Sequence, residues 1–569
     1  MTRRLKVTLG VVAALVGILG VSNLRRPPIK DGGDLEPSPC LAGATIALHA
    51  NPNQILLGQP SVVSWSVTLP AGCSSVHIYF DHNPVTASSS RNVSPSATRI
   101  YTLTVTDTRD GVHQETYAST SIQVTYPPRV IINPSTPDPV AVLLGALASS
   151  NEPQVVELCD VDLDLTGHNN VVLGELDTLI ASPECARGPR RLGPRIYVTD
   201  PRAGPLFEVR GDRVRISGFR LEGPTSEVSS REDAEQGIRV WPFPGTTPIA
   251  SIEISNMEIY HWAALGVSVT DNTEQAERGR LFNTREAVRI VDNYLHHNRH
   301  ISLGYGAEVG GGGYALIARN VFDGNRHAIA GGRKNADAED YPGYIARDNL
   351  VLPGGGLACS DFFLFALIGW RRNCWQTHQI DMHGNGNSWY SSSNWRCGVA
   401  GETIIIQRNT ILYTEGTVIK IRGNPTDKAI VDGNVFKHKR DDAIVQYGAC
   451  GAGDNITNPI DIRPNNVFGV DPTTELGKCD FYGDGQKDDF MATGVTWWAR
   501  SPVTGQWRYL NTMPEKLSQL SLEYVDADAV CDVMHKRTSI RSTTTGPRTY
   551  SKSGTGPWTP VSPLVVAEP

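Results

Sequence analysis

The stretch His378-Gln-Ile-Asp-Met-His-Gly384 brings two histidines and an aspartate within a few residues of one another. Read as an extended strand, it puts Ile380 and Met382 on one face and Gln379, Asp381 and His383 on the other. With the apolar pair turned inward, the polar trio points outward. An aspartate two residues from a histidine on one strand face can fix the imidazole and tune it for general base work. The same pair could also ligate a metal. His378 has the opposite parity, so it is expected to stand apart unless a bend intervenes. A polar exposed strand at the mouth of a long insertion is the alternative without chemistry.

Two matched phrases give a second candidate, HHNRHISLGYG (296–306) and DGNRHAIAGGR (323–333). They place His300 and His327 at the same distance after an asparagine, with Arg299 and Arg326 beside them. Stacked repeats would set the two imidazoles one above the other, either as a functional pair or as a ladder bonded to backbone. Arg333 follows closely and could pair with an acidic sugar. The insertion 353–401 adds Trp370, Trp375, Trp389, Tyr390 and Trp395, whose ring faces suit the apolar faces of sugars. They could equally pack the insertion down. The glycine run 310–313 opens no strand-to-helix pattern, so it reads as a tight turn and not as a phosphate loop.

These groups need a scaffold, and a recurring phrase between Ala287 and Gly448 supplies one. It reads AVRIVDNYL, YALIARNVF, GYIARDNLV, ETIIIQRNTIL and AIVDGNVF, centred on Asn293, Asn320, Asn349, Asn409 and Asn434. Apolar residues lie three before the asparagine (Ile290, Ile317, Ile406, Val431) and two after it (Leu295, Phe322, Ile411, Phe436). Alternation therefore changes phase at the asparagine, as it must where a strand turns a corner. Asparagine is expected there because it tolerates the left-handed backbone and bonds locally. Steps of 27, 29 and 25 residues suit one coil of a parallel β-solenoid.

The repeat resembles the right-handed parallel β-helix of pectate-lyase-like proteins. That resemblance implies an all-β solenoid over 129–470 and, often, action on polysaccharides. In lyases of this kind a basic residue takes the proton beside a uronate carboxylate, while calcium or arginine neutralises that carboxylate. Carried onto this chain, His383 is the base, Asp381 its orienting partner, and Arg333 or Arg396 the carboxylate partner. Gln379, Trp389, Tyr390 and Trp395 are the expected substrate contacts, with His300 and His327 as further catalytic candidates. An Asp-rich calcium cluster on the solenoid strands is missing.

Residues 45–126 carry short alternating strands, SVVSWSVTL and RIYTLTVTD among them, and resemble a bacterial Ig-like β-sandwich (45–128). Trp65 is expected in its core. AVLLGALASS, after Pro139, is expected to form a helix closing the end of the solenoid. Residues 471–569 resemble FG-GAP or VCBS-type repeats, in two copies. The D-x-D-x-D-G loop of that family binds calcium, which implies Asp480, Asp484 and Asp488 as ligands. Tyr482 stands where a carboxylate or amide is expected, and Tyr524 replaces the first aspartate of the second copy. Only the first copy is therefore expected to hold calcium.

The whole chain has 569 residues, 55 Gly, 37 Pro and a net charge of −7, which gives no sign of nucleic-acid or anionic-membrane binding. A basic start (Arg3, Arg4, Lys6) and an apolar run from Val7 to Val21 read as a secretory signal or N-terminal anchor over 1–28, followed by a linker (29–44). Ten cysteines without a C-x-x-C pair suit an oxidising compartment. Cys159–Cys185 and Cys374–Cys397 are neighbouring candidates for bridges, though spacing cannot fix connectivity. The expected protein is secreted or displayed at the cell surface and works on a polysaccharide as a lyase, epimerase or hydrolase. A non-catalytic glycan-binding or adhesive protein is the alternative.

Overall fold

The computed structural model describes residues 38–560 apart from 57–58, 74–75, 82, 96–97, 110–111, 126–127, 149–152, 183–192, 202, 226–233, 243–250, 271–287, 301–302, 333–340, 364–369, 385–397, 441, 449–454, 527 and 537–548. The chain divides into two compact units, Met1–Thr125 and Tyr126–Pro569.

In the first unit a three-stranded and a five-stranded sheet share one core. Strict alternation along Ser61–Thr68 turns Val63, Trp65 and Val67 inward. The Trp65 ring stacks on Phe80 at 4.9 Å, so this tryptophan is core as its parity requires. A Cys40–Cys73 disulfide lies in the same unit.

The second unit is a parallel β-helix. Its three parallel sheets hold 11, 10 and 9 strands, and each coil adds one strand to each sheet in turn. The apolar residue after each asparagine forms one internal stack. Leu295 pairs with Phe322, Phe322 with Val351, Val351 with Ile411, and Ile411 with Phe436. All five are at most 1% exposed. The helix Pro139–Leu147 sets Leu143 and Leu147 against the same core, covering its N-terminal end. The first strand, Arg129–Ile132, pairs with Val155–Leu158 and precedes that helix.

The asparagines do a different job from the one expected. The left-handed residue at each corner is the one before: Asp292, Arg319, Asp348, Arg408 and Gly433, with φ between 53 and 63°. The asparagine itself builds a ladder. In Asn320, the backbone N–H and Nδ2 both donate to Asn349 Oδ1, at 3.0 and 3.1 Å, while Nδ2 also reaches Ile290 O at 2.8 Å. The pattern runs from Asn293 through Asn409 and Asn434 to Asn466. Each side chain thus satisfies backbone groups that the corner takes out of the sheet ladders. A second, shorter ladder joins Asn298 and Asn325.

Two four-stranded antiparallel sheets follow the solenoid. A Cys479–Cys531 disulfide ties the first strand of one sheet, Gly477–Cys479, to the residue before Asp532–His535 of the other. The first sheet packs Met491, Trp498 and Trp507 onto Val321, Leu350 and Leu412 of the solenoid wall. Cys159 is also disulfide-bonded, while Cys185 and Cys397 lie outside the described residues. Cys359 is in backbone register with Cys374 in an antiparallel hairpin, Leu357–Phe363 with Trp370–Gln376. Among the described residues no helix is long and apolar enough to cross a membrane. The apolar run near the N-terminus lies outside them.

Candidate functional site

The site lies on the nine-stranded sheet. Ile380 and Met382 are buried in the solenoid core, which leaves Asp381 on the outer face. Ile380 pairs with Ile329 of one neighbouring strand, and Asp381 with Lys420 of the other. Two residues beyond Lys420, Arg422 turns back to Asp381. Its Nε donates to Oδ1 at 3.0 Å and its Nη2 to Oδ2 at 2.6 Å.

The strand is only three residues long, and the parity argument fails at its start. His378 lies before the strand and joins Asp381 after all, with Nε2 2.7 Å from Oδ2. The bend that the sequence left open is present, and it swings this ring onto the outer face. His383 Nε2 lies 2.8 Å from the same Oδ2, without the alignment of a hydrogen bond, so charge rather than a shared proton couples them. Gln379 makes none of these contacts. It is buried, and its Nε2 has no hydrogen-bond partner. Asp381 is not the solvent-facing residue that strand parity implies, being 0% exposed, whereas the His383 side chain is 20% exposed.

His327 completes the cluster from the previous coil. Its ring stacks on His378 at 4.1 Å, and its Nδ1 donates to the His378 carbonyl at 2.6 Å. That donation leaves Nε2 as the unprotonated nitrogen, buried and without a partner. The expected His300–His327 stack does not form. The residue in register with His327 is Tyr305, whose ring lies 5.1 Å away. His300 instead accepts the Leu303 N–H at 3.0 Å, in an extra turn closed by left-handed Gly304. The matched phrases part company at that turn.

Burial works against the charged forms here, and the neighbours decide the outcome. Burial alone would raise the Asp381 carboxyl, but His378, His383 and Arg422 outweigh it and hold it well below the usual carboxylate range. Burial lowers His378 to about 4, against the pull of Asp381. Burial, then the His378 and Arg326 charges, push His327 well below its ordinary value. At neutral pH the cluster is therefore a charged Asp381–Arg422 pair flanked by two neutral imidazoles.

One nitrogen or oxygen from each of His327, His378 and Asp381 lies within 4.8 Å of the others, a spacing compatible with a metal ion. Arg422 Nη2 already stands 2.6 Å from Asp381 Oδ2 and 2.8 Å from His378 Nε2. The guanidinium thus supplies the positive charge that a dication would bring.

A second carboxylate shares this wall. Glu308 pairs in register with Ala330, the neighbour of Asp381, and accepts the Ser268 hydroxyl at 2.8 Å. Gly310 and Gly332 pair alongside, so small residues form the floor between Glu308 and the Asp381–His383 pair. Strand spacing puts the two backbones roughly 10 Å apart. Neither Glu308 nor Arg422 was foreseen. Their signal was register, since each meets the site sideways across coils. Arg333, Arg396, Trp389, Tyr390 and Trp395 lie outside the described residues.

The acidic loops of the C-terminal sheets differ. In the first, Asp480 accepts the N–H groups of Tyr482 at 3.2 Å, Asp484 at 3.1 Å and Gly485 at 2.5 Å. Asp484 accepts the Gln486 N–H at 2.8 Å. Asp488 accepts the Phe481 N–H at 2.7 Å through Oδ2, while its buried Oδ1 has no partner. Burial, then the charges of Asp480 and Asp484, raise Asp488 to about 6. That orphaned oxygen beside two more carboxylates fits a calcium ligand set with few remaining oxygens. In the second loop Lys552 Nζ lies 2.8 Å from Asp526 and 3.1 Å from Asp528, so an ammonium already neutralises it.

The chain matches no protein-family model, no curated protein and no solved structure.

Proposed function

We propose that this is a secreted or surface glycan-active protein whose reacting centre is the Asp381–His383–Arg422 group on the outer wall of a right-handed, pectate-lyase-like β-helix. One observation carries the reading. Asp381 is fully buried and held by three nitrogen-bearing side chains on an outer face, where the solenoid core makes no demand for them. Proton abstraction next to a uronate carboxylate, the first step of both lyase and epimerase reactions, is the chemistry this set supports. His383, the most exposed member, takes the proton. Asp381, 2.8 Å from its Nε2, stabilises the charged imidazole. Arg422 supplies positive charge beside the substrate carboxylate, the role assigned from the sequence to Arg333 or Arg396. Glu308, facing the group across Ala330, is placed to bind or protonate the sugar on the far side.

The Ig-like module is a spacer, and the C-terminal FG-GAP-like sheets hold calcium in the first loop only. Two disulfides among the described residues fit an extracellular setting. A non-catalytic glycan binder is the second reading, favoured by the near-complete burial of His327, His378 and Asp381. Incubation with a panel of acidic and neutral polysaccharides separates the two. New absorbance from unsaturated ends marks a lyase. Retention on an acidic glycan without turnover marks a binder. Neither result on any acidic glycan would sink both.

A further inference from the structure

A second candidate site lies away from Asp381, where the first C-terminal sheet meets the corner between the eleven- and ten-stranded sheets. The two surfaces line an open-sided cavity of about 380 Å³. Ligand pockets usually measure about 300–1,000 Å³ and favour such seams. Tyr294 reaches it from the solenoid, and Trp507 and Tyr509 from the sheet. Gln506 Nε2 donates to Glu258 Oε1 at 2.7 Å across the seam, which fixes the two walls relative to each other.

Three guanidiniums (Arg220, Arg319, Arg508) and three carboxylates (Asp160, Glu258, Asp292) line this cavity, and they are not paired one to one. Arg319 is closed by Asp292, with Nε and Nη2 at 2.8 and 2.6 Å from the carboxylate. Glu258 is taken by Gln506 and by His296, whose Nε2 is 3.1 Å away. Two guanidiniums remain. Arg508 donates from Nη2 to the Phe481 carbonyl at 2.7 Å and lies over the Tyr482 ring, with no carboxylate in salt-bridge reach among the described residues. Arg220 donates to the Gly193 carbonyl at 3.2 Å and has only Asp162, at 3.7 Å. Both keep N–H donors in the cavity wall. A guanidinium fork binds carboxylate or sulfate through paired hydrogen bonds, and aromatic faces cover the apolar side of a sugar ring.

We propose that the seam cavity binds an acidic saccharide unit, held through its anionic group by Arg508 and Arg220 and flanked by Trp507, Tyr294 and Tyr509. It is a holding site separate from the reacting wall, so it stands whether or not Asp381 supports turnover. A polysaccharide anchored here would be kept close to the solenoid while another part of it reaches the nine-stranded sheet.

Calorimetry on the full chain tests this with digalacturonate, galactose 6-sulfate and galactose as probes. The two acidic probes separate a carboxylate from a sulfate ligand. At least one should bind, galactose should bind far less, and Arg508→Gln should weaken binding roughly tenfold or more. His383→Ala should leave this binding unchanged. Arg220→Gln, on the solenoid wall, gives the same reading where loss of the Phe481 contact unfolds the Arg508 variant. Binding absent from the wild type at millimolar probe, equal for galactose, or unchanged in both arginine variants overturns the proposal. Binding lost in His383→Ala but kept in Arg508→Gln places the ligand at Asp381 and overturns it too.

Discussion

Arg422 closes on Asp381 with both ends of its fork, Nε 3.0 Å from Oδ1 and Nη2 2.6 Å from Oδ2, and the carboxylate it holds is entirely shut off from solvent. An exposed pair would contribute about 0–1 kcal/mol, which is what strand parity implied for this aspartate. Burial reverses that. Arg422→Ala leaves a charged carboxylate in low dielectric with only imidazoles beside it, so it should cost about 3–5 kcal/mol. Asp381→Asn should also lower the thermal midpoint, because it strips the charge partner from Arg422. Urea unfolding of both variants checks this, and a loss under about 1 kcal/mol for Arg422→Ala would count against it.

His383 should behave differently from its partner. Its side chain is the most exposed of the group, and it lies outside the three-residue strand. His383→Ala therefore removes little packing and should shift the thermal midpoint by only a few degrees. It should abolish turnover on an acidic glycan, or weaken glycan retention where there is no turnover. Full activity and full retention in this variant would place the site elsewhere.

The repeat was legible because its signal is local. An asparagine with apolar residues at fixed offsets appears in the letters, and the Leu295–Phe322–Val351–Ile411–Phe436 stack follows from it. What the asparagine does was not legible. A left-handed corner and a side-chain ladder both favour asparagine, and only the register shows that the ladder is its role and that the preceding residue takes positive φ. The site was half legible for the same reason. Asp381 and His383 are close in sequence, but Arg422 and Glu308 arrive from other coils. His378 broke the parity rule because alternation holds only within a strand, and this strand begins at Ile380. His300 failed as a partner of His327 because equal spacing from an asparagine does not survive a turn of different length.

The ladder predicts its own energetics. Asn349 donates to Ile317 O at 2.9 Å and to Asn409 Oδ1, while its Oδ1 accepts from both the backbone and the side chain of Asn320. Asn349→Ala orphans buried groups on both neighbouring coils, each worth about 1–3 kcal/mol. A total loss on the order of 3–5 kcal/mol is expected in urea unfolding. Asn466→Ala, at the last and less shielded rung, should cost less. Equal losses at the two positions would mean that the rungs act alone rather than as a ladder.

Asp488 makes the last prediction, and its sign is unusual for a carboxylate. Its folded pKa is about 6, raised first by burial and then by Asp480 and Asp484. An unfolded aspartate titrates near about 3.9. Between these values the folded chain binds more protons than the unfolded one, so stability falls as pH rises through the window and stays lower above it. In chelator, Asp488→Asn should therefore raise the thermal midpoint at pH 7 to 8, and the gain should fade toward pH 4. Asparagine can keep the hydrogen bond that Oδ2 accepts from Phe481, which limits the structural change. Calcium should relieve the same strain by pairing with Oδ1, the buried oxygen that has no partner. It should stabilise the wild type and leave Asp488→Asn nearly unaffected. In the second loop Lys552 bridges Asp526 and Asp528, so calorimetry should find one calcium per chain. Two sites of similar affinity, or calcium protection of Asp488→Asn equal to that of the wild type, would show that the first loop is not the calcium site.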